Sequence, residues 1–497
     1  MKLVAQDMHI ATGGTPVILV SKHEARVWDL HPLDRLLVRS GRHSTIAVLD
    51  VAEKEGMVRK GSVGLFQEVI DSLRVRHGEF VDVELAEKPE SVSFIRRKLE
   101  GKSLGYPELK SIMQDIVKDK LSEIEITSYV AANYTRGMNL QETCDLTRAM
   151  TDTGDVINFH EKQLVDIHCI GGVPGNRTTL IVVPILVAAG LIVPKTASRA
   201  ITSPAGTADA MEVLAQVSFS REKLQRVLKS AGGFIVWGGA MNLAPADEKI
   251  IRVEYPLSID AEGQMLASIM AKKASVGATH VLIDIPLGNG AKVRDFANAT
   301  RLKSLFSTLG SRLGMQVKVM LSDGTEPIGN GIGPSLEATD CLRILEGEEQ
   351  PSDLRGKSVV MAGKALEFAG KAKTGNGRSM AERLLQSGEA WQSMQRIIHA
   401  QGGKRTTHTR IGLAHFSGEV VSPSSGAVKH IENSVIAKLA RLAGAPVDKT
   451  AGVLLHAHKG NLVGRGDTLL TVFSESQEKL EFAKNFLKKN KAVWVNQ

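Results

Sequence analysis

Cysteine is scarce: Cys144, Cys169 and Cys341 lie far apart in a chain of 497 residues, with no CxxC. That excludes a disulfide scaffold and a zinc-finger pattern, and an odd, widely spaced set suits a reducing cytosol. Aromatic residues make up only 4%, too few for a platform that stacks the bases of single-stranded nucleic acid. No long hydrophobic run is present either. The most apolar stretch, Leu180–Val193, holds 14 residues including Pro184, short of the ~20 needed to span a bilayer, so it is read as buried secondary structure. The N-terminal residues lack the apolar core of a signal peptide, which gives a cytoplasmic expectation with no membrane partner. Basic residues outnumber acidic ones for a net charge of +8, yet no Lys/Arg run resembles a nucleic-acid arm. Small anions are therefore favoured as partners over nucleic acid.

The pattern along the chain predicts several domains. Residues 1–86 are β-rich: Leu36-Leu37-Val38, a Ser40-Gly41-Arg42 turn and Ile46–Leu49 read as strand, turn, strand, and Val81–Leu85 alternates with period two. Residues 87–160 are helical. Leu109, Ile112, Met113, Ile116 and Val117 share one helix face, Ser122 with Glu125 forms a capping box, and Asn139 with Glu142 repeats that signal. Residues 161–404 alternate apolar strands and helices and end strands in Gly-rich loops, which indicates an α/β sheet with its site at the strands' carboxyl ends. Helices are expected at 353–371 and 379–400. Residues 405–497 form a final β-rich α+β domain with one helix near 433–443. No internal repeat is evident.

Five segments could carry chemistry. In the Asp166–Thr179 segment, Gly171 and Gly172 let backbone N–H groups approach an anion, although an ordinary tight turn explains them equally well. His168 there reads more readily as structural than as catalytic. In the second, Ser198-Arg199-Ala200-Ile201-Thr202-Ser203-Pro204 precedes Gly206-Thr207, with Ser203 and Pro204 as the expected N-cap and first residue of a helix. An arginine and several hydroxyls at such an entrance suit a phosphate. In the third, Asp260 lies just ahead of a helix from Gln264 that puts Ser268 and Lys272 on one face. The fourth is the Gly288–Lys292 loop. The fifth is Asp323–Glu337, whose GxGxG is not a dinucleotide fingerprint.

Taken together and in order, DIHCIGG (166–172), ASRAITSPAGTADAME (197–212), IDIPLGNGAK (283–292), EPIGNGIGPSLE (326–337) and AGVLLHAHKGNLVGRGDTLLTV (451–472) resemble the thymidine/pyrimidine nucleoside phosphorylase family over residues 90–475. Arg199, Gly206, Thr207, Asp209 and Glu212 match its signature S-G-R-G-L-x-x-T-G-G-T-x-D-x-x-E. The chain departs from the nucleoside enzymes where Ile167 and Cys169 replace a phosphate-holding Lys and Ser, and it carries the added front domain. Both features are similar to the archaeal-type AMP phosphorylase branch.

This resemblance implies a helical domain and a larger α/β domain with a cleft between them, an N-terminal β domain that serves assembly, and a small C-terminal α+β domain. It implies a pentosyltransferase: reversible phosphorolysis of AMP, and of related nucleotides such as CMP and UMP, to free base and ribose 1,5-bisphosphate. Asp260 is then the proton donor, aided by desolvation in a closed cleft. Ser268 and Lys292 contact the base. Gly172, Ser198, Arg199, Ala200, Ile201, Thr202, Ser203 and Thr207 bind the phosphate-bearing part. Inorganic phosphate is a co-substrate, no metal or cofactor is implied, and a homodimer or larger homo-oligomer is expected. The rival readings are a thymidine or uridine phosphorylase, a nucleic-acid-binding β-barrel protein, and a phosphoribosyltransferase.

Overall fold

The computed structural model describes residues 1–200, 203–257 and 259–496. They form two compact units, Met1–Ala132 and Asn133–Gln497.

In the first unit, six strands close into a barrel: β1 (Lys2–Asp7), β2 (Val17–Ser21), β3 (Arg35–Ser40), β4 (His43–Ala52), β5 (Ser62–Leu65) and β6 (Phe80–Leu85), in the order β1-β5-β2-β4-β3-β6. Alternation makes the barrel core: Leu36 and Val38, Ala47 and Leu49, and Val81 and Val83 point inward and are fully buried or nearly so. The β3–β4 hairpin pairs Ser40 with His43 across Gly41, whose φ of 56° suits glycine. The expected strand, turn, strand is thus present. Helices Ser91–Leu99 and Tyr106–Val117 follow, and the Leu109, Ile112, Met113, Ile116 stripe is fully buried. Ser122 and Glu125 form the expected reciprocal cap, with Ser122 N donating to Glu125 Oε2 at 2.7 Å and Glu125 N donating to Ser122 Oγ at 3.3 Å. Arg35 of β3 ties the barrel to these helices by donating to the carbonyls of Asp119 and Lys120.

The second unit is built on parallel strands β7 (Val165–Cys169), β8 (Val193–Ala197), β9 (Gly233–Trp237), β10 (His280–Leu287) and β11 (Gln316–Asp323). Strands β11-β10-β7 form one sheet, β8-β9 another, and a parallel bridge between Leu164 and Ile192 links them. Of the apolar stretch Leu180–Val193, expected to be buried, the first part lies in the helix Thr178–Ala188 and Val193 opens β8; the helix side chains pack into the main core with residues of helices Pro334–Leu345, Ser352–Phe368, Gly377–Gln386 and Glu389–Ala400. The helix expected over 379–400 is two helices, because Gly388 at φ 77° interrupts it.

Strands β12 (Gly331–Ile332), β13 (Phe416–Val421), β14 (Gly426–Ile431), β15 (Gly452–Leu455), β16 (Leu462–Val463), β17 (Thr468–Ser474) and β18 (Val493–Asn496) complete the C-terminal α+β part as sheets β12-β15-β17-β13 and β16-β14-β18. The GxGxG residues supply β12, which pairs with β15. Helix Asn433–Leu442 lies where expected, but a second helix, Gln477–Lys489, corrects the expectation of one. Its buried face is only Leu480 and Ala483, too thin a stripe to read through its charged residues. Among the described residues no helix is long and apolar enough to cross a membrane.

Candidate active site

A cleft of about 450 Å³ opens at the carboxyl ends of the parallel strands. The Gly171-Gly172 turn after β7, the loop after β8, the Lys292 loop after β10, and the helices Pro245–Leu257 and Glu262–Ser275 all contribute to its walls. Four of the five segments singled out in the sequence therefore meet there. Gly172, Ser198, Arg199, Ser203, Thr207, Asp260, Ser268 and Lys292 line it. Ala200 does not: its N–H donates to Asp209 Oδ2 at 2.7 Å. Ile201 and Thr202 lie outside the described residues.

The glycine turn has φ values of 91° and 95°, and a Cβ on Gly172 would stand 2.6 Å from Lys292 N. Glycine at 172 thus lets the first and fourth segments touch. The loop after β8 is clasped by Asp209, whose Oδ2 also accepts Gly206 N at 2.8 Å. A Cβ on Gly206 would fall 2.5 Å from Ser198 O, so only glycine admits this closure. The helix there starts at Thr207 with Gly206 as N-cap, and not at Ser203-Pro204 as expected. Asp209 is the reason: it draws the cap to Gly206, while Ser203 Oγ turns to Ala205 O at 2.8 Å.

Arg199 faces carboxylates. Its NH1 reaches Asp209 and Glu212 at 3.1 and 2.8 Å, its NH2 reaches Glu212 at 2.7 Å, and the guanidinium lies 4.7 Å from the Trp237 ring centre. Arg199 and Lys449 hold Glu212 down to about 2. Thr207 has a different neighbour, Arg177, which donates to Thr207 Oγ1 at 2.9 Å and to Ala205 O at 2.7 Å and pairs with buried Glu337. Burial pushes Glu337 up to about 7 against the opposing pull of Arg177.

Beside the glycine turn Lys292 reaches a further carboxylate: its Nζ donates to Asp260 Oδ2 at 2.6 Å. Asp260 is 44% exposed, so the desolvation expected for it is not supplied in this arrangement. It falls instead on Glu254, pushed up to about 8 by burial first and then by the charges of Asp260 and Asp247. Gln264 Nε2 donates to Glu254 Oε1 at 2.6 Å, and Asn133 in turn holds Gln264 Oε1 at 2.9 Å. Lys272, on the Ser268 face, pairs with buried Asp247 at 2.6 Å.

The floor is cationic. Lys195 of β8 and Lys273 are 4% and 1% exposed and stand 3.5 and 2.8 Å from the buried carboxylate of Asp166. Burial, then Lys273 and Lys195, push the His168 imidazole well below its ordinary value, which leaves it neutral. The Cys169 thiol is pushed up to about 12 by burial and Asp284, so it is no nucleophile at neutral pH. Lys195 is not among the residues singled out in the sequence, although a lone lysine directly after the apolar run Leu191-Ile192-Val193-Pro194 was a signal. Arg177, Glu254 and Lys273 lay inside or beside the segments noted, without a role. The described residues hold no group of three or more His, Cys, Asp or Glu suited to a metal ion.

Comparison with known proteins bears on this cleft. Residues 92–154 match the helical bundle domain of a glycosyl transferase family, residues 161–391 its α/β domain, and residues 427–493 the pyrimidine nucleoside phosphorylase C-terminal domain. The chain is 43% identical over 477 residues to an AMP phosphorylase of Methanococcus vannielii, covering 96% of this chain and 94% of that protein. It is 44% identical over 462 residues to a putative thymidine phosphorylase of Legionella pneumophila (strain Paris), covering 93% and 88%. The anthranilate phosphoribosyltransferase of Thermus thermophilus shares the fold, with a TM-score of 0.53 at 20% identity over 62% of this chain and 99% of that one.

Proposed function

The chain belongs to the glycosyl transferase family that ends in a pyrimidine nucleoside phosphorylase C-terminal domain, and from that premise we propose that it catalyses the reversible phosphorolysis of AMP, and of related nucleoside 5′-monophosphates such as CMP and UMP, to free base and ribose 1,5-bisphosphate. The observation that carries the reading is the convergence in one cleft of Asp260, Glu254 and Lys292 with two glycine-dependent loops and two buried lysines. As the N-glycosidic bond lengthens the ribose gains oxocarbenium character, phosphate oxygen bonds to C1′, and the base leaves with a proton. Asp260 is assigned that proton transfer. Its ion pair with Lys292 must open first, as Lys292 and Ser268 turn to the base, and the freed carboxylate must take up a proton from solvent that it then passes to the leaving base. Gly172, the loop from Ser198 to Ser203, and Thr207 hold the phosphate-bearing part. Arg199 braces that loop through Asp209 and Glu212, and Arg177 positions Thr207. Phosphate itself is the nucleophile, and the reading calls for no cofactor.

The deciding experiment incubates the protein with phosphate and a panel of nucleosides and nucleotides and identifies the base and sugar phosphate released. Cleavage of thymidine or uridine but not AMP would instead favour the second reading, a pyrimidine nucleoside phosphorylase, which the Legionella relatives' name supports.

Glu254 sets a pH limit. With its carboxyl pushed up to about 8 it is neutral at pH 7, and a rise past that value adds a negative charge beside Asp260. Ionised Glu254 opposes build-up of charge on Asp260 as its proton leaves, so activity is expected to fall as pH rises through about 8. Glu254→Gln stays neutral and, at saturating phosphate, should remove the part of that fall in kcat centred near pH 8. Matching pH–rate profiles for wild type and variant would refute the role.

The barrel is proposed to serve assembly into a homo-oligomer. Removal of residues 1–86 should shrink the particle measured by light scattering while measurable bond cleavage remains, since every described lining residue of the cleft falls between His168 and Lys292. Unchanged size would contradict the assembly role.

A further inference from the structure

Most ionic side chains lining the cleft are matched. Lys272 pairs with Asp247, Lys292 with Asp260, Arg177 with Glu337, and Arg199 with Asp209 and Glu212. The floor differs. Lys195 and Lys273 enter it from β8 and from helix Glu262–Ser275, both almost completely buried, and they share one carboxylate, Asp166. Lys273 makes the close pair at 2.8 Å, whereas Lys195 stands 3.5 Å from Asp166 and donates to Ile167 O at 2.7 Å. An ammonium has three donors, and a neutral carbonyl does not cancel its charge. Burying a cation without its own anion is costly, so an arrangement that does so at the wall of a cleft is built to receive one.

We propose that Lys195 and Lys273, flanking the single carboxylate of Asp166, form the seat of the attacking phosphate. The inference rests on the phosphorolysis reading and deepens it, because it separates the nucleophile's anion site from the loop that takes the phosphate carried by the substrate. The seat lies beside the Gly171-Gly172 turn and neutral His168, all lining the same cleft. A tetrahedral oxyanion there meets the positive charge that Asp166 leaves uncancelled.

The same geometry makes the seat proton-linked. Burial first, and then the like charge of Lys273, bring Lys195 down to about 7, with Asp166 acting the other way. The titratable groups near it are Asp166 and His168 from β7 and Lys273 from its helix. Strand β9 and helix Thr178–Ala188, packed on either side, carry none in their sequences. In the empty enzyme near pH 7.5 Lys195 is therefore partly neutral. A bound dianion favours its charged form, so binding should draw a proton from solution.

Two measurements test this. In steady-state kinetics, Lys195→Met should raise KM for phosphate ~10–100-fold, the usual weight of one charge-assisted contact, and leave KM for AMP within about threefold. An equal rise in both constants, or no rise, overturns the assignment and leaves the triad a packing element. The second measurement uses wild-type protein, so it does not depend on how the variant folds. Sulfate, which has no titrating proton near neutrality, is bound calorimetrically in two buffers of different ionisation heat. Proton uptake is expected at pH 7.5 and none at pH 5.5, where Lys195 already holds its proton. Absence of uptake at pH 7.5, or of sulfate binding that competes with phosphate, overturns the proposal. Neither result depends on AMP being the substrate: if a pyrimidine nucleoside is cleaved instead, the same split in KM is read with that nucleoside.

Discussion

Asp260→Asn is expected to cut kcat by ~10²–10⁴-fold, the usual weight of a positioned general acid, while nucleotide binding persists. The asparagine keeps the size of the side chain and still accepts from Lys292, whose Nζ lies 2.6 Å from the present carboxylate. What it loses is the carboxyl oxygen proposed to pass a proton to the leaving base. Single-turnover measurements with radiolabelled AMP separate binding from bond cleavage. A variant with near-normal kcat would remove Asp260 from the donor role and move attention to Glu254, the neighbouring carboxyl that holds its proton to about pH 8.

Wild-type enzyme should cleave AMP ~10²–10⁴-fold better than adenosine in kcat/KM. A 5′-phosphate brings nearly two charges and several acceptors, and two or three charge-assisted contacts, less their ordering cost, suffice for that ratio. On the proposed reading those contacts come from the loop after β8, where Ser198, Ser203 and Thr207 line the cleft and Asp209 accepts from Ala200 N and Gly206 N. Because Arg199 is engaged by two carboxylates, its main contribution is to the loop's shape. Competition between the two substrates in one reaction, read by the sugar phosphates produced, decides the matter. Equal cleavage would sink the nucleotide reading.

Much of this site was legible before the fold was seen, for physical reasons that differ by residue. Gly172 and Gly206 announce themselves because a backbone that approaches another backbone tolerates nothing larger. Lys292 sits in a motif whose order matches a family, and Asp260 and Ser268 lie between two such motifs. Lys195 and Glu254 were not legible as functional groups: the character of Lys195 comes from burial and from Asp166 and Lys273, distant in sequence, and that of Glu254 from burial first, which local sequence does not display, and then from Asp260 and Asp247. Barrel closure was hidden for a related reason. Strand pattern gives β3 and β4, but the pairing of β1 with β6 joins residues some eighty positions apart. The misplaced helix start at Ser203 shows a local signal losing to a stronger one, the Asp209 carboxylate that caps at Gly206.

The helix Thr178–Ala188 has a consequence for how the chain is made. Ten of its eleven residues are buried, and it has no polar face to turn to water. Part of its cover comes from helices Ser352–Phe368 and Glu389–Ala400, which leave the ribosome about 200 residues later. At ~5–20 residues per second that is a delay of ~10–40 s. Throughout it the nascent chain carries an apolar segment that cannot yet be fully packed, so the enzyme's yield in a cell depends on what shields that segment during synthesis as well as on the stability of the finished fold.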